Sequence, residues 1–506
     1  MLLPGLFLMP NSVTRKWAVA AAAMLLCVFA SNAGSEETPP GKLNRLNVVA
    51  LDGQGQPVTG LSSADFRLFE EGKPQSIAFF RFTGDLPLLA KPGPGEYSNR
   101  AVASPHVTVM LVDLLNEPLI SETIIGREVA DSLKNLDSSD GLYLYILTAR
   151  GELHPIYPLP KPDTGVTPAT APWTRSIITT LQAASKDLAG LRPVADLDIQ
   201  SRFDLTMDAM RDLGSQMAQA SGRKNLVWVT GGIPLIGFSN AAQSGMDFTN
   251  RTQWFCQRLE QARMVVYTVQ TTEGAAAAET LDEFTAITGG REYSSSRAVE
   301  AMQQAITDSR ANYEIGYYPA SANPNPQRRK IRVVCGRKDV RLQTAHGFYA
   351  VPPRILPNGF TAGELHSSEL PRELDTAVHS PFDATEIGVR ARVLPDSADS
   401  QDMSSGLTRR TEFAIHIDAA DLLPRPARER GNGKVFVAFA AYDEGLRQPA
   451  PPILYSLTPE QIGTATHGEI ELHYAIPVGQ AIRKVRAIVF DEALGAVGSV
   501  TVPIQR

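Results

Sequence analysis

Residues 107–117 read VTVMLVDLLNE: an apolar run from Val107 to Val112, broken only by Thr108, then Asp113, Leu114, Leu115, Asn116 and Glu117. A run of this length suits a strand buried on both faces, because neither side of the pleat meets water. The abrupt polar exit would place chemistry-bearing groups at the strand's carboxyl end. Outward from this strand, Ile125, Val129, Leu133 and Leu136 step by four, four and three, which is one helical face. Asp140-Gly141 turns the chain into Leu142–Leu147 (LYLYIL), and helical segments are predicted near 174–190 and 203–220. Asn225–Val229 (NLVWV) is a third strand, ending at Thr230-Gly231-Gly232. Phe248, Thr252, Phe255, Leu259 and Ala262 form another helical stripe ahead of Met264–Val269. Helices around Leu281–Thr288 and Val299–Ile306 follow, then Tyr313–Tyr318 as the last strand. This alternation predicts a doubly wound parallel α/β sheet over 101–320.

The flanks follow a different rule. Leu46, Val48 and Ala50 share one face before the turn at Asp52-Gly53, and Phe66/Leu68 and Ile77/Phe79 alternate around Glu70-Glu71-Gly72. This is period-2 β patterning over 34–100, too short a stretch for a core of its own. Ile331–Cys335 and Val340–Tyr349 around Gly336-Arg337-Lys338-Asp339 read as a β hairpin within 321–350, and the Pro-rich 351–384 as a linker. Over 385–506 alternation returns in Ile387/Val389/Ala391, Phe413/Ile415/Ile417, Val435/Val437/Phe439, Ile470/Leu472, Val485/Ala487 and Val500/Val502. Without helical periodicity, that predicts a C-terminal all-β, sandwich-like domain.

Composition narrows the function classes. The 48 basic and 54 acidic residues leave a net charge of −6, unlike the basic footprint of a nucleic-acid binder. Three cysteines in 506 residues exclude a disulfide scaffold and a Cys-rich metal module. Arg15 and Lys16 precede the uncharged stretch Ala18 to Ala30, about 20 Å of helix against the ~30 Å hydrocarbon core of a bilayer. Ser31-Asn32-Ala33 then supplies the small residues of a cleavage site. Residues 1–33 therefore read as a secretory signal peptide, with a mature chain starting near Gly34 and no membrane span after cleavage; the alternative is an uncleaved anchor. The expected location is secreted or periplasmic. In that oxidising setting Cys256 and Cys335 could form a disulfide or remain two free thiols.

These pieces together resemble a known family. Asp113 at the end of an apolar strand, a strand before the Thr230-Gly231 loop, and Thr288-Gly289-Gly290 before a short strand look like a von Willebrand factor type A domain. The flanks, LNVVALDGQGQPVTGLSSADFRLFEEGKPQSIAFF (46–80) and the GYYP and GFYA pieces of 313–350, are similar to the bacterial VWFA-related family of the acidobacterial type. The resemblance covers roughly 43–350. It implies protein–protein interaction or adhesion, and a metal-ion-dependent adhesion site of pattern Asp-x-Ser-x-Ser completed by a Thr and an Asp from other loops. Here Asp113 is kept, but the serine positions hold Leu115 and Glu117, and Thr230 stands at the distant Asp position; Thr206 could supply the Thr. Leucine offers no oxygen to a hard cation. Two readings follow for Asp113, Asn116, Glu117 and Thr230. Either they assemble a non-standard Mg²⁺ site, or Asp113 and Thr230 cap loops and helix starts and no cofactor is held.

Other chemistries find no pattern: G-x-S-x-G, H-E-x-x-H, P-loop and EF-hand sequences do not occur. The eight histidines show no ligand spacing on one helix, and Met207, Met210 and Met217 fit core filling. The expectation is a non-enzymatic, exported interaction or adhesion protein with a protein partner and a degenerate metal site. The alternatives are a structural scaffold of an envelope assembly and a hydrolase with an unrecognised site. Function sits in sites and not in folds, so the structure around Asp113 is the deciding region.

Overall fold

The structure is a computed structural model that describes residues 43–83, 93–100, 107–116, 141–159, 198–218, 220, 222–233, 255, 259, 263–271, 275–294, 298–319, 328–349, 371–394, 408–424, 434–443, 452–458, 461–462 and 468–504. Apolar alternation becomes strand around Leu46–Ala50 and Phe66–Leu68, while Ile77 stays outside the strand that begins at Phe79. β1 (Asn44–Leu51) buries Leu46, Val48 and Ala50, and β2 (Phe66–Glu70) buries Phe66 and Leu68. Glu71 and Gly72, at φ 49° and 76°, turn the chain into β3 (Lys73–Gln75). A two-residue turn with both centres left-handed matches the twist of an antiparallel pair, and glycine takes one of them without strain. β4 (Phe79–Phe82) and β5 (Glu96–Ser98) follow.

The central segment contributes β6 (Val107–Asp113), β7 (Leu142–Leu147), β8 (Leu153–Tyr157), α1 (Ile199–Met217), β9 (Lys224–Thr230), β10 (Met264–Gln270), α2 (Ala275–Thr288), β11 (Glu292–Ser294) and α3 (Ala298–Arg310). Its six strands lie in the order β11-β10-β9-β6-β7-β8. β6, β7, β9, β10 and β11 run parallel, and β8 is an antiparallel edge. Asp198 starts α1 by accepting from the Ser201 N–H at 2.7 Å, an ordinary N-cap. Phe203, Met210 and Leu213 of α1 then share a core with Val109, Leu111 and Trp228 and with Phe284 of α2. Met110, Val112 and Val227 point the other way, onto Ala301, Met302 and Ala305 of α3.

β12 (Asn312–Tyr317), β13 (Arg328–Cys335), β14 (Arg341–Thr344) and β15 (Gly347–Tyr349) return the chain to its beginning. They complete two antiparallel sheets, β14-β1-β12-β4 and β15-β13-β2-β3. The two sheets close on a core of Leu46, Val48, Leu68, Tyr313, Ile315 and Ile331. Beyond them lie α4 (Arg372–His379), β16 (Val389–Val393), β17 (Thr408–Asp418), β18 (Val435–Asp443), β19 (Ile453–Ser456), β20 (Glu469–Gly479), β21 (Ile482–Asp491) and β22 (Ala496–Pro503). They form the antiparallel sheets β20-β17-β16-β5 and β19-β18-β21-β22 around Phe413, Ile415, Val437, Phe439 and Val489. Residues Gly41–Arg506 belong to one compact unit. Among the described residues, no helix is long and apolar enough to cross a membrane.

This architecture corrects the fold class read from the sequence. The doubly wound α/β sheet with flanking β segments is not the organising principle. The chain is mostly β, with five sheets, four of them wholly antiparallel, and four α-helices among the described residues. Tyr313–Tyr318, read as the last strand of the α/β alternation, shows why. Its strand, β12, pairs antiparallel with β1 and β4 and takes no place beside β11. β12 alternates Tyr313, Ile315 and Tyr317 with Asn312, Glu314 and Gly316, and neither that alternation nor its place after the last helix says which sheet receives it. Three smaller corrections follow from the same limit. β13 and β14 do not form the expected hairpin: β13 pairs with β2 and β15, β14 with β1, and the Gly336–Asp339 turn passes the chain between two sheets. The supposed linker 351–384 contains α4, whose Leu374, Ala377 and Val378 are buried against Ile488 and Phe490. β5, from the N-terminal segment, is the outer strand of a C-terminal sheet. The stripes at Ile125–Leu136 and 174–190, the signal segment 1–33, Glu117 and Cys256 lie outside the described residues.

Candidate functional site

β6 and β9 are parallel neighbours in register Val112↔Val229, so their last residues, Asp113 and Thr230, arrive side by side. The Thr230 hydroxyl donates to Asp113 Oδ2 at 2.8 Å. Trp228, two residues earlier on the same face of β9, donates its indole N–H to that oxygen at 3.0 Å. The chain leaving β6 curls back over the carboxylate. The backbone N–H groups of Leu115 and Asn116 each donate to Oδ1 at 3.0 Å, and Asn116 Nδ2 donates to Oδ2 at 2.8 Å. Asn116 Nδ2 also reaches Thr206 Oγ1 on α1 at 2.7 Å, and that hydroxyl donates to the Arg202 carbonyl. Thr230 Oγ1 in turn accepts from the Gly232 N–H at 3.0 Å, where Gly232 sits at φ 79°.

Asp113, Thr206, Trp228 and Thr230 are fully buried and Asn116 nearly so. Burial pushes the Asp113 carboxyl above its ordinary range, and the hydrogen bonds from Asn116, Thr230 and Trp228 work against that rise. Among the described residues no basic side chain pairs with it. A buried carboxylate here is held by five neutral donors and not by a cation.

That inventory tests the fit of a divalent ion. Mg²⁺ needs near-octahedral oxygens. Asp113 has spent both oxygens on donors, and both threonine hydroxyls already donate and accept. Leu115 is turned into the core. The unspent oxygen is Asn116 Oδ1, which is buried and has no hydrogen-bond partner. As arranged, the described residues do not fit the ion. The residues singled out from the sequence are therefore brought together in the case of Asp113, Asn116, Thr206 and Thr230, but as a hydrogen-bonded hub. Trp228 was missed, although its position two residues before Thr230 was enough to place it on the same face. Cys335 ends β13 opposite Phe66, half-buried, with no cysteine partner among the described residues.

A second polar assembly left no sequence signal at all. Glu314 on β12 pairs with Arg81 of β4 at 2.7 Å and with Arg45 of β1, and Arg263 stands 3.6 Å away. Glu386, ahead of β16, takes Arg263 and, at 3.4 Å, Arg45. Arg100 pairs with Asp421 at 2.7 Å. Burial alone would raise the Glu314 carboxyl, but the Arg45 and Arg81 guanidiniums outweigh it and hold the group at about 2. Arginine's planar fork suits such shared, dehydrated pairing. On the outer face of β17 and β20, His416 and His473 flank Glu471 at 3.9 and 3.3 Å. Their closeness, the His473 hydrogen bond first, keeps that carboxyl below the usual range.

No protein-family model matches the chain, and no curated protein does. Among solved structures, the human COPII-coat protein Sec24c aligns with 50 % of this chain and 46 % of its own, at 10 % identity and TM-score 0.27. A β-glucosidase from Listeria innocua, in complex with isofagomine, aligns with 81 % of this chain and 48 % of its own, at 10 % identity and TM-score 0.15. The chain spans about half the length of each. Likeness at this level carries no argument about fold or function.

Proposed function

We propose that this chain is an exported, non-enzymatic protein-interaction protein, secreted or periplasmic, that presents the strand ends around Asp113 as a rigid platform. The observation that carries this reading is the use made of the Asp113 carboxylate. Its five accepted hydrogen bonds tie the end of β6, the end of β9, the loop after β6 and, through Asn116, helix α1 into one unit. In an open parallel sheet the loops at these strand ends are where partners dock, and a scaffold that locks them lowers the entropic cost of binding. A carboxylate saturated in this way has no lone pair free for acid–base work, so the hub serves shape. The family resemblance of residues 43–350 points the same way, and the Arg15–Ala33 segment supports export.

The test is affinity capture with the tagged full chain from an envelope fraction, followed by reconstitution with the purified partner. A saturable complex of fixed stoichiometry is expected, with N-terminal sequencing of the secreted chain reading from near Gly34. Ordered self-assembly without a partner would replace this reading with a scaffold. Turnover of an ester, peptide or glycoside substrate that a single substitution abolishes would replace it with an enzyme.

A further inference from the structure

The β15-β13-β2-β3 sheet has one face in the core and one in solvent. Phe66, Leu68, Ile331 and Val333 point inward. Alternation therefore turns Arg67 and Phe69 of β2, and Lys330, Arg332 and Val334 of β13, outward. The register places Arg332 opposite Phe69 and Val334 opposite Arg67. The Arg332 guanidinium lies 4.7 Å over the Phe69 ring, and Val334 is 36 % exposed, one of few large apolar side chains so placed. Arg67, Lys330 and Arg332 have no acidic partner among the described residues. The acid in register with Lys330 is Glu71, whose carboxylate accepts from the Lys330 backbone N–H.

Three unpaired cations on one sheet face are a cost in isolation, because like charges on neighbouring strands repel. They are also out of character for a chain of net charge −6. Beside them, Arg67, Phe69, Pro74, Gln75 and Ser63 line a cleft of about 370 Å³. Pro74 gives the β3 edge no N–H to offer an added strand, so the face, and not the edge, is the available surface.

We propose that this face binds an extended acidic segment of a partner protein, with carboxylates on alternate residues engaging Lys330, Arg332 and Arg67 and an apolar side chain covering Phe69 and Val334. Same-face residues of a strand recur every ~6.7 Å, the spacing of Lys330 and Arg332 along β13 and of alternate carboxylates in an extended peptide. Guanidiniums meet carboxylates in two parallel hydrogen bonds, and the stacked Phe69 ring holds Arg332 in place for this. The inference rests on the reading of the chain as an interaction protein and names one partner chemistry for it.

The experiment is fluorescence anisotropy of the full chain with a labelled peptide that alternates glutamate and valine. Saturable, salt-sensitive binding is expected, weakened about tenfold or more in Arg67→Glu/Arg332→Glu. The neutral pair Arg67→Gln/Arg332→Gln, which keeps much of each stem and perturbs the fold less, should reproduce the loss, while Arg211→Glu on the exposed side of α1 should not. Absence of saturable binding, an equal effect of Arg211→Glu, or tighter binding of a heparin oligosaccharide or single-stranded DNA would overturn the proposal. In parallel, an envelope partner captured equally by wild type and the charge-reversed pair rejects this face but leaves the interaction reading standing. No partner for either protein rejects that reading itself.

Discussion

The indole N–H of Trp228 and the carboxylate of Asp113 meet at 3.0 Å across the β6–β9 boundary, on the oxygen that also receives Thr230 and Asn116. Three donors converge on Oδ2, which decides what substitution there does. In Asp113→Asn the amide nitrogen would face those three donors in one rotamer and the two backbone N–H groups on Oδ1 in the other. Removing the charge would by itself favour the fold, because burial raises this carboxyl. Several buried donors left unpaired outweigh that, and a loss of about 2–4 kcal/mol is expected. Trp228→Phe removes one donor and should cost about 1–2 kcal/mol. Chemical denaturation of both variants is the check; an Asp113→Asn protein as stable as wild type would refute the hub.

The same saturation sets the response to metal. With both Asp113 oxygens occupied, an ion must break several hydrogen bonds before it gains the carboxylate as a ligand, and Mg²⁺ gives up its own water reluctantly. Millimolar Mg²⁺ or Mn²⁺ is expected to leave the melting temperature unmoved. A saturable rise that disappears in Asp113→Ala would show instead that the site rearranges around an ion, using Asn116 Oδ1 as the first oxygen free to turn.

How much of this was legible in the sequence depends on the range of the interaction. Val107–Val112 and Asn225–Val229 read as buried strands with polar exits at Asp113 and Thr230, and the family resemblance put those two residues in one site. Six strands of the C-terminal sheets, β16, β17, β18, β20, β21 and β22, were legible because alternation is written locally, while β5 and β19 were not read. Sheet membership was not legible. β12 is buried like β6 but alternates Tyr313, Ile315 and Tyr317 with Asn312, Glu314 and Gly316, and its pairing with β1, more than 250 residues earlier, takes it out of the parallel sheet. Glu314 and its arginines were invisible because Arg45, Arg81, Arg263 and Glu386 lie on four distant segments. No local pattern records a charge that is neutralised by residues so far apart in the chain.

Glu314 predicts a specific acid sensitivity. Its carboxyl sits at about 2 in the folded chain against an ordinary 4.5. A carboxyl depressed in this way stabilises the fold above about pH 4.5, and that stability is lost as pH falls from 4.5 towards 2. The expected contribution is about 3 kcal/mol. Glu314→Gln should lose that much at neutral pH, because Arg45 and Arg81 are left buried without their shared acid, and its stability should vary less between pH 5 and 2. Parallel pH–stability curves for the variant and wild type would show that the group is not ionised through this network.

Gly290 and Gly498 test the close approaches that hold the sheets together. At Gly290, directly after the left-handed Gly289, a Cβ would overlap the carbonyl oxygen of Val266 on β10. At Gly498, inside β22, it would overlap the Ile387 carbonyl oxygen and stand 2.8 Å from Val389 Cγ2 on β16. Both obstacles include backbone, that of Val266 within β10 and that of Ile387 just ahead of β16, which cannot move aside as a side-chain tip can. Gly290→Ala should therefore separate α2 from β10, and Gly498→Ala should force β22 away from β16, each costing about 3 kcal/mol or more. Gly468, at φ 85° with open space around it, is the contrast. Alanine there meets no atom and strains only the local backbone, by about 1 kcal/mol. Equal melting temperatures for Gly290→Ala and Gly468→Ala would show that the β10 contact is looser than this packing requires.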